Sequence, residues 1–298
     1  MSGWGKYQTA EEMEINRRYE YNPEFFPVLY KWLNVKPNML VVDIGCGSGY
    51  FTRILAGGLQ GKGKGIGIDP DKSLVLEAGK IAKQKRLSKI VQFKLGNIYD
   101  VPLPDNFADL VSCHILLCNI PRQFDAILEM RRIAKIGGTV VAIEPAYGGG
   151  TYYPEERLNE LAGKFAKAFG TAINKEWREK LDMSKFIENI HLKLPELFLK
   201  AGFKNITLNG YLSTFLLSDQ RHNIKEMQKH LKAKLNLWQK LEKRDLECAL
   251  LGGMKKEEFD ELFQRYTTYL KALIKKPEKI RKTPEVEIVS RVIVKGEK

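Results

Sequence analysis

The sequence predicts an α/β protein with a doubly wound, mostly parallel seven-stranded sheet, an antiparallel final strand, and helical insertions forming a cap. Three observations predict it. Short continuous apolar runs alternate with helical stretches between Met39 and Ile143, a glycine-rich turn joins the first run to the helix after it, and two long helical segments interrupt the pattern before the last strand. Runs that are apolar throughout read as strands buried on both faces, and the intervening helices supply the covers.

The first forty residues read as helical. Glu11 to Tyr19 follows Thr9, an N-cap residue type, and Phe25, Phe26, Leu29, Trp32 and Leu33 repeat at helical spacing until Asn34-Val35-Lys36-Pro37-Asn38 breaks the pattern. Five strand runs follow: Met39–Ile44, Gly65–Ile68, Val91–Lys94, Leu110–Ser112 and Thr139–Ile143. Tyr50–Leu59, Ser73–Gln84 and Arg122–Ala134 are the helical stretches among them. After Pro145 the rhythm changes. Pro154-Glu155-Glu156 opens a helix with Leu158, Leu161 and Phe165 on one face, and a second helical stretch around Met183–Leu199 ends at Ala201-Gly202-Phe203. Residues 203–218 and Glu287–Val294 read as the last two strands.

Between those strands, Ile224, Met227, Leu231, Leu235, Trp238 and Leu241 fall at helical steps, with Lys225, Lys229, Lys232 and Lys240 largely on other faces. Gly252-Gly253 breaks that helix, and Phe259, Leu262, Phe263, Tyr266, Tyr269 and Leu270 mark the next. The expected organisation is N-terminal helices over 1–38, a main domain over 39–218 with 286–298 (carrying a helical insertion at about 146–200), and a helical hairpin over 219–285.

Hydrophobic residues are 44% and charged residues 29% of the chain, an ordinary globular balance. No apolar run approaches the roughly 20 residues needed to cross a bilayer. The segment Met1-Ser2-Gly3-Trp4-Gly5-Lys6 lacks the apolar stretch of a signal peptide, and Cys46, Cys113, Cys118 and Cys248 form no CxxC pair. The expectation is a reduced, cytoplasmic, metal-free protein that does not engage membranes. The formal charge is +13, and its excess lies late: residues 1–150 hold 19 Lys/Arg against 15 Asp/Glu, and residues 151–298 hold 30 against 21. Such an excess attracts a polyanion, or it is a Lys- and Glu-rich solvated surface of the kind associated with high temperature.

The chemistry begins at Val41-Val42-Asp43-Ile44-Gly45-Cys46-Gly47-Ser48-Gly49, which directly follows a strand and precedes a helix. Glycines there let the backbone turn tightly and approach a ligand closely, and the carboxyl ends of the strands are where doubly wound folds bind ligands. The dehydrogenase fingerprint G-x-G-x-x-G needs Gly or Ala at position 50, and the chain has Tyr50. Asp43 can accept hydrogen bonds near a cationic ligand, which suits a sulfonium amino acid better than a pyrophosphate. Gly61-Lys62-Gly63-Lys64-Gly65 has no Ser or Thr after its lysines and is no P-loop.

Val41–Gly49 resembles the first motif of class I S-adenosylmethionine-dependent methyltransferases with a type 11 methyltransferase domain, and the later motifs follow in order. Gly67-Ile68-Asp69-Pro70 resembles the second motif; the resemblance implies that Asp69, 20 residues beyond Gly49, binds both ribose hydroxyls. Gly96-Asn97-Ile98-Tyr99-Asp100-Val101-Pro102-Leu103-Pro104 resembles the third, with Asn97 where relatives carry Asp for the adenine amino group. Phe107–Leu117, containing Ser112 and Cys113, looks like the fourth strand and the loop facing the transferable methyl. Ile133-Ala134-Lys135-Ile136-Gly137-Gly138 matches the family's helix-to-strand turn, with Ile136 replacing Pro. The likeness covers about residues 38–145. It implies a Rossmann-like methyltransferase whose S-adenosylmethionine pocket comprises Asp43, Gly45, Cys46, Gly47, Gly49, Asp69, Pro70, Asn97, Ile98, Ser112 and Cys113.

His114 and Tyr147 are the candidate catalytic residues, because each lies just past a strand end; either a base or an acceptor-positioning role suits them. Glu144-Pro145-Ala146-Tyr147 resembles the tetrapeptide of amino-group nucleic-acid methyltransferases, although it follows the fifth strand rather than the fourth. Tyr7, Tyr19 and Tyr21 are the N-terminal aromatics available to close over the cofactor. The leading acceptor expectation is a base nitrogen in structured RNA (such as rRNA or tRNA), drawn to the basic C-terminal half and its Lys-rich helix. The alternative is a small-molecule acceptor under a helical lid, with Tyr152, Tyr153, Phe165, Phe169, Trp177 and Trp238 lining the pocket or merely packing the helices. A non-catalytic cofactor-binding regulator is the third.

Overall fold

Val41 and Val42 illustrate how the sheet is built. Successive strand residues face opposite ways, and both of these are fully buried, Val41 among Leu29, Leu33 and Leu55 on one face and Val42 among Ile127, Met130 and Leu194 on the other. The structure is a computed structural model that describes residues 9–146, 149–180 and 189–298, with residues 173–180 as backbone only.

The elements in order are α1 (Ala10–Arg18), α2 (Phe26–Leu33), β1 (Leu40–Ile44), α3 (Tyr50–Gly58), β2 (Lys64–Asp69), α4 (Lys72–Gln84), β3 (Val91–Leu95), β4 (Ala108–His114), α5 (Gln123–Ile133), β5 (Ala134–Pro145), β6 (Gly150–Tyr152), α6 (Glu156–Lys180), α7 (Ile190–Lys200), β7 (Lys204–Leu216), α8 (Ile224–Leu251), α9 (Lys256–Lys275) and β8 (Val286–Glu297). Thr9 caps α1 reciprocally with Glu12. Of the helical stretch expected at Met183–Leu199, the described part begins one residue before α7; residues 183–188 lie outside the described residues.

The strands run β3-β2-β1-β4-β5-β8, with β7 on the far side of β8. β8 is antiparallel to β5, β6 and β7, so the final strand alone runs against the rest. Eight strands, not seven, make up the described sheet. The extra one is β6, three residues that pair with Val286–Ile288 after β5 has left the ladder at Pro145 opposite Arg291. β8 outlasts its neighbour, and the returning chain covers the edge that would otherwise stay unpaired. The direction of strand succession reverses between β1 and β4, opening a crevice at their carboxyl ends.

Helices α6, α8 and α9 form the cap around their own core of Leu158, Leu161, Ala249, Phe259 and Leu262. The aromatics weighed as pocket lining mostly serve this core. Phe165 meets Trp238 edge-on at 5.9 Å, Trp238 stacks on Phe263 at 5.4 Å, and Phe169 packs on Phe165. Tyr153 sits edge-on to Tyr266, and Tyr152 is exposed. The Trp177 side chain lies outside the described residues. Among the described residues no helix is long and apolar enough to cross a membrane.

Gly252 ends α8 where it crosses α6, and a Cβ there would stand 1.9 Å from the Ala168 carbonyl oxygen. Backbone cannot yield as a side-chain tip can. Gly252→Ala is therefore expected to lower stability by about 1–3 kcal/mol through overpacking, measured as a reduced melting temperature. An unchanged melting temperature would show that α6 and α8 do not approach this closely.

Candidate functional site

The crevice between β1 and β4 is bordered by the turn from Gly45 to Gly49. The amides of Gly45 and Cys46 both donate to the Ile68 carbonyl (2.8 and 3.0 Å), tying the turn to β2. Gly49 has φ +76°, and a Cβ there would strike the Phe93 ring at 2.4 Å, so this glycine is required by packing. Gly47 differs. Its φ of +52° also favours glycine, but the nearest atom to an added Cβ is the Met13 sulfur at 3.8 Å. The open side at Gly47 is a cradle that a side chain would fill and that a ligand can approach.

Asp69 ends β2 beside this cradle. Its Oδ2 accepts from the Gly47 amide and its Oδ1 from the Asp71 amide, both at 2.9 Å. Each carboxylate oxygen has a second lone pair, so two ribose hydroxyls can still be received. Burial raises the Asp69 carboxyl above its ordinary range against the pull of those two amides. Asn97, past the end of β3, is exposed, and its Oδ1 accepts from the Tyr99 amide at 3.1 Å in a tight turn. These groups fit the cofactor that the motifs imply: the loop backbone for its amino-acid part, Asp69 for the ribose and Asn97 for the adenine.

Other expected cofactor residues act from behind. Asp43 is 1% exposed; its carboxylate accepts from Thr52 Oγ1 at 2.6 Å and from Ser112 Oγ at 3.2 Å. It braces β1 against α3 and β4 rather than presenting itself to the crevice. Burial pushes it up to about 7 despite the two hydroxyls, and the charge of Asp69 adds to the rise. The side chains of Ile98 and Cys113 belong to the hydrophobic core, which leaves only their backbone at the strand ends. Cys46 is buried beneath the turn, and Pro70 is exposed just past β2.

Sequence reasoning missed the contact of α1 with the turn. Glu14 accepts from Ser48 Oγ at 2.8 Å and forms an ion pair with the buried Arg53. Nothing in local spacing links Glu14 to a residue 34 positions later. The helix is tied on its other side to α8, by Arg18 to Glu226 and by Glu12 to Lys240.

His114 ends β4 and stacks on Phe51 at 4.9 Å, with its Nε2 2.6 Å from the Tyr21 hydroxyl. Burial, with Arg17 and Arg291 nearby, holds the ring well below its ordinary value, so it is neutral at physiological pH. Of the N-terminal aromatics, Tyr21 therefore meets the candidate base, and Tyr7 lies outside the described residues. Tyr147 also lies outside them. Glu144 is fully buried and accepts from the amides of Leu116, Leu117 and Cys118 at 3.2, 2.8 and 3.2 Å. It grips the loop after β4, where Ile115 is held at φ +52°, a left-handed conformation unusual for a β-branched residue. Glu144 thus shapes the backbone beside His114 and does not face an acceptor.

Ile143 pairs with His114 on one side and Ile293 on the other, so Arg291, Val289 and Glu287 climb beyond the carboxyl edge at two-residue steps. Above them, between α1, α8 and the β7–β8 ladder, is a cavity of about 220 Å³. Asn16, Tyr19, Phe215, His230, Lys234 and Glu287 are among its walls. Glu20, also on the wall, is held by Arg17 and by Arg291 at 2.8 Å each, the two cations whose charge also acts on the His114 ring. A larger hollow of about 330 Å³ lies between Phe25, Trp32 and Tyr211, and no residue of the glycine turn is on the wall of either space.

Comparison with known proteins agrees with this geometry. A family model for the methyltransferase domain matches residues 42–142. The chain is 29% identical over 189 residues to a demethylmenaquinone methyltransferase of Shouchella clausii, covering 61% of this chain and 77% of that one. It is 32% identical over 188 residues to the demethylmenaquinone methyltransferase of Staphylococcus carnosus, covering 61% and 74%. The crystal structure of the YcgJ protein from Bacillus subtilis shares the fold at 15% identity, with a TM-score of 0.52 over 93% of this chain and 99% of that one.

Two outcomes test the pocket. Gly47→Val places a β-branched side chain in the cradle at a left-handed φ, and calorimetric titration with S-adenosylmethionine is expected to show no measurable affinity; wild-type affinity would remove the turn from the site. Asp43 ionises near 3.8 when unfolded and near 7 when folded, so its contribution to stability is whole below about 3.8 and lost as pH rises through about 7. Asp43→Asn is expected to gain stability relative to wild type between pH 5 and pH 8, measured by denaturant unfolding at each pH. Parallel pH profiles would contradict the buried carboxyl.

Proposed function

The chain belongs to the class I methyltransferase-domain family and is an S-adenosylmethionine-dependent methyltransferase, and on that premise we propose that its acceptor is a small organic molecule held in the cavity between α1, α8 and the β7–β8 ladder. The observation that carries this is the cavity itself, which lies beyond the carboxyl edge of the sheet and is lined by aromatic and hydrogen-bonding groups. The names of the relatives point the same way, since demethylmenaquinone is a small molecule. A reduced quinone ring is the first acceptor to try. The RNA expectation rested on the late excess of Lys and Arg. In the Lys-rich helix, Lys234 turns inward to Glu287 at 2.7 Å, and the exposed Lys240 pairs with Glu12 at 3.5 Å.

S-adenosylmethionine supplies an already activated methyl for in-line displacement, so alignment and exclusion of water are the protein's main tasks. The Gly47 cradle, Asp69 and Asn97 would hold the donor. The α1 helix, latched by Glu14 to Ser48 and Arg53, would shield it from water. Neutral His114 can accept a proton from an acceptor hydroxyl that must ionise, with Tyr21 fixing the ring's orientation. Glu144 holds the backbone that carries His114.

Incubation with methyl-labelled S-adenosylmethionine and, separately, RNA, DNA and an organic-soluble metabolite extract tests the proposal. Label is expected in the metabolite fraction, and label confined to RNA would overturn it.

A further inference from the structure

His230 is 3% exposed, yet neither ring nitrogen has a hydrogen-bond partner. An unpaired buried polar group costs about 1–3 kcal/mol, and few are tolerated without a reason. This one borders the acceptor cavity, where α8 brings it within 4.7 Å of the Tyr19 ring and 5.6 Å of the Phe215 ring. Across from it, α1 contributes Asn16, whose amide oxygen is also buried and without a partner. Two helices from distant parts of the chain thus place residues with unpaired hydrogen-bonding atoms on the walls of one cavity.

The chemistry of the walls narrows what fits. The cations about the cavity are Arg17, Arg291 and Lys234, and the carboxylates are Glu20, Glu287 and Glu285. Three charges of each sign leave no net charge for an ionic ligand to neutralise. Burial alone would lower Lys234, but Glu287 and Glu285 hold it above its ordinary value, so it stays charged and paired. Burial keeps His230 well below its ordinary value and therefore neutral. A neutral imidazole has one donor and one acceptor nitrogen. A hydroxyl matches it, donating to one acceptor while receiving from a donor. Carboxylate or phosphate would place oxygen charge beside the Asn16 oxygen and the glutamates. The Tyr19 and Phe215 rings offer apolar walls to a flat molecule, and about 220 Å³ suits one or two rings rather than a drug-sized ligand.

We propose that His230 and Asn16 form the polar end of the acceptor site and bind a hydroxyl of an uncharged aromatic acceptor, a phenol or hydroquinone. This rests on the small-molecule acceptor proposed above. The pair anchors the acceptor.

The test uses two probes of nearly one shape, 1-naphthol and 1-methylnaphthalene, titrated by equilibrium dialysis into the full chain with S-adenosylhomocysteine present. Wild type is expected to prefer the naphthol by about tenfold, the equivalent of roughly 1.4 kcal/mol. His230→Phe is expected to abolish the preference while 1-methylnaphthalene binds as before, which shows that the cavity has kept its shape. Asn16→Leu is expected to reduce the preference, and His230→Gln to retain part of it. An undiminished preference in His230→Phe, or binding of neither probe to wild type, would overturn the assignment. The labelling experiment separates the two levels: a labelled metabolite with no naphthol preference defeats the subsite alone, whereas label only in RNA defeats the small-molecule acceptor beneath it.

Discussion

Three strand ends and one turn meet at Asp43. Its buried carboxylate takes hydroxyls from Thr52 on α3 and Ser112 on β4, while the Gly45 and Cys46 amides bind the Ile68 carbonyl on β2. These bonds hold β1, β2, β4 and the start of α3 in one register, and the glycine turn is what remains between them. Its open side at Gly47 exists because everything around it is pinned. A carboxylate placed in such a dry position is raised toward neutrality, so the brace works through hydrogen bonds more than through charge.

A second carboxylate does similar work at the next strand end. Glu144 uses its oxygens on three consecutive amides and so compels the chain past Ile115 through a conformation that isoleucine resists. Strain of this kind survives only where neighbours over-determine it. The result is a fixed His114, stacked on Phe51 and bonded to Tyr21, within the same dry region. The glycine turn and the loop after β4 are thus each shaped by a buried acid.

The cap closes the arrangement from above. Helix α1 touches the glycine turn with Glu14, and α8 with Glu12 and Arg18, which meet Lys240, Asn236 and Glu226. It therefore couples the glycine turn to the helical cap.

Much of this was legible in one dimension. The β1–α3 turn, Asp69, Asn97 and His114 are local patterns at strand ends, and the strand runs themselves are apolar throughout because helices cover both faces. Local period and turn chemistry carry such information. The sequence by itself therefore determined the fold class, the direction of the last strand and the methyltransferase family. The three-residue β6 was not visible, since too few residues exist to show a period and only the unpaired length of β8 calls for it. Nor could spacing show that Glu14 meets Ser48, that Tyr21 meets His114, that Glu144 grips a loop, or that the cap aromatics pack on one another. Late positive charge suggested a polyanion, whereas tertiary pairing turned Lys234 inward against Glu287. Tertiary structure alone made the cavity between α1, α8 and β8, because Asn16, His230 and Glu287 are brought to it by packing between elements, and packing leaves no periodic mark in the chain.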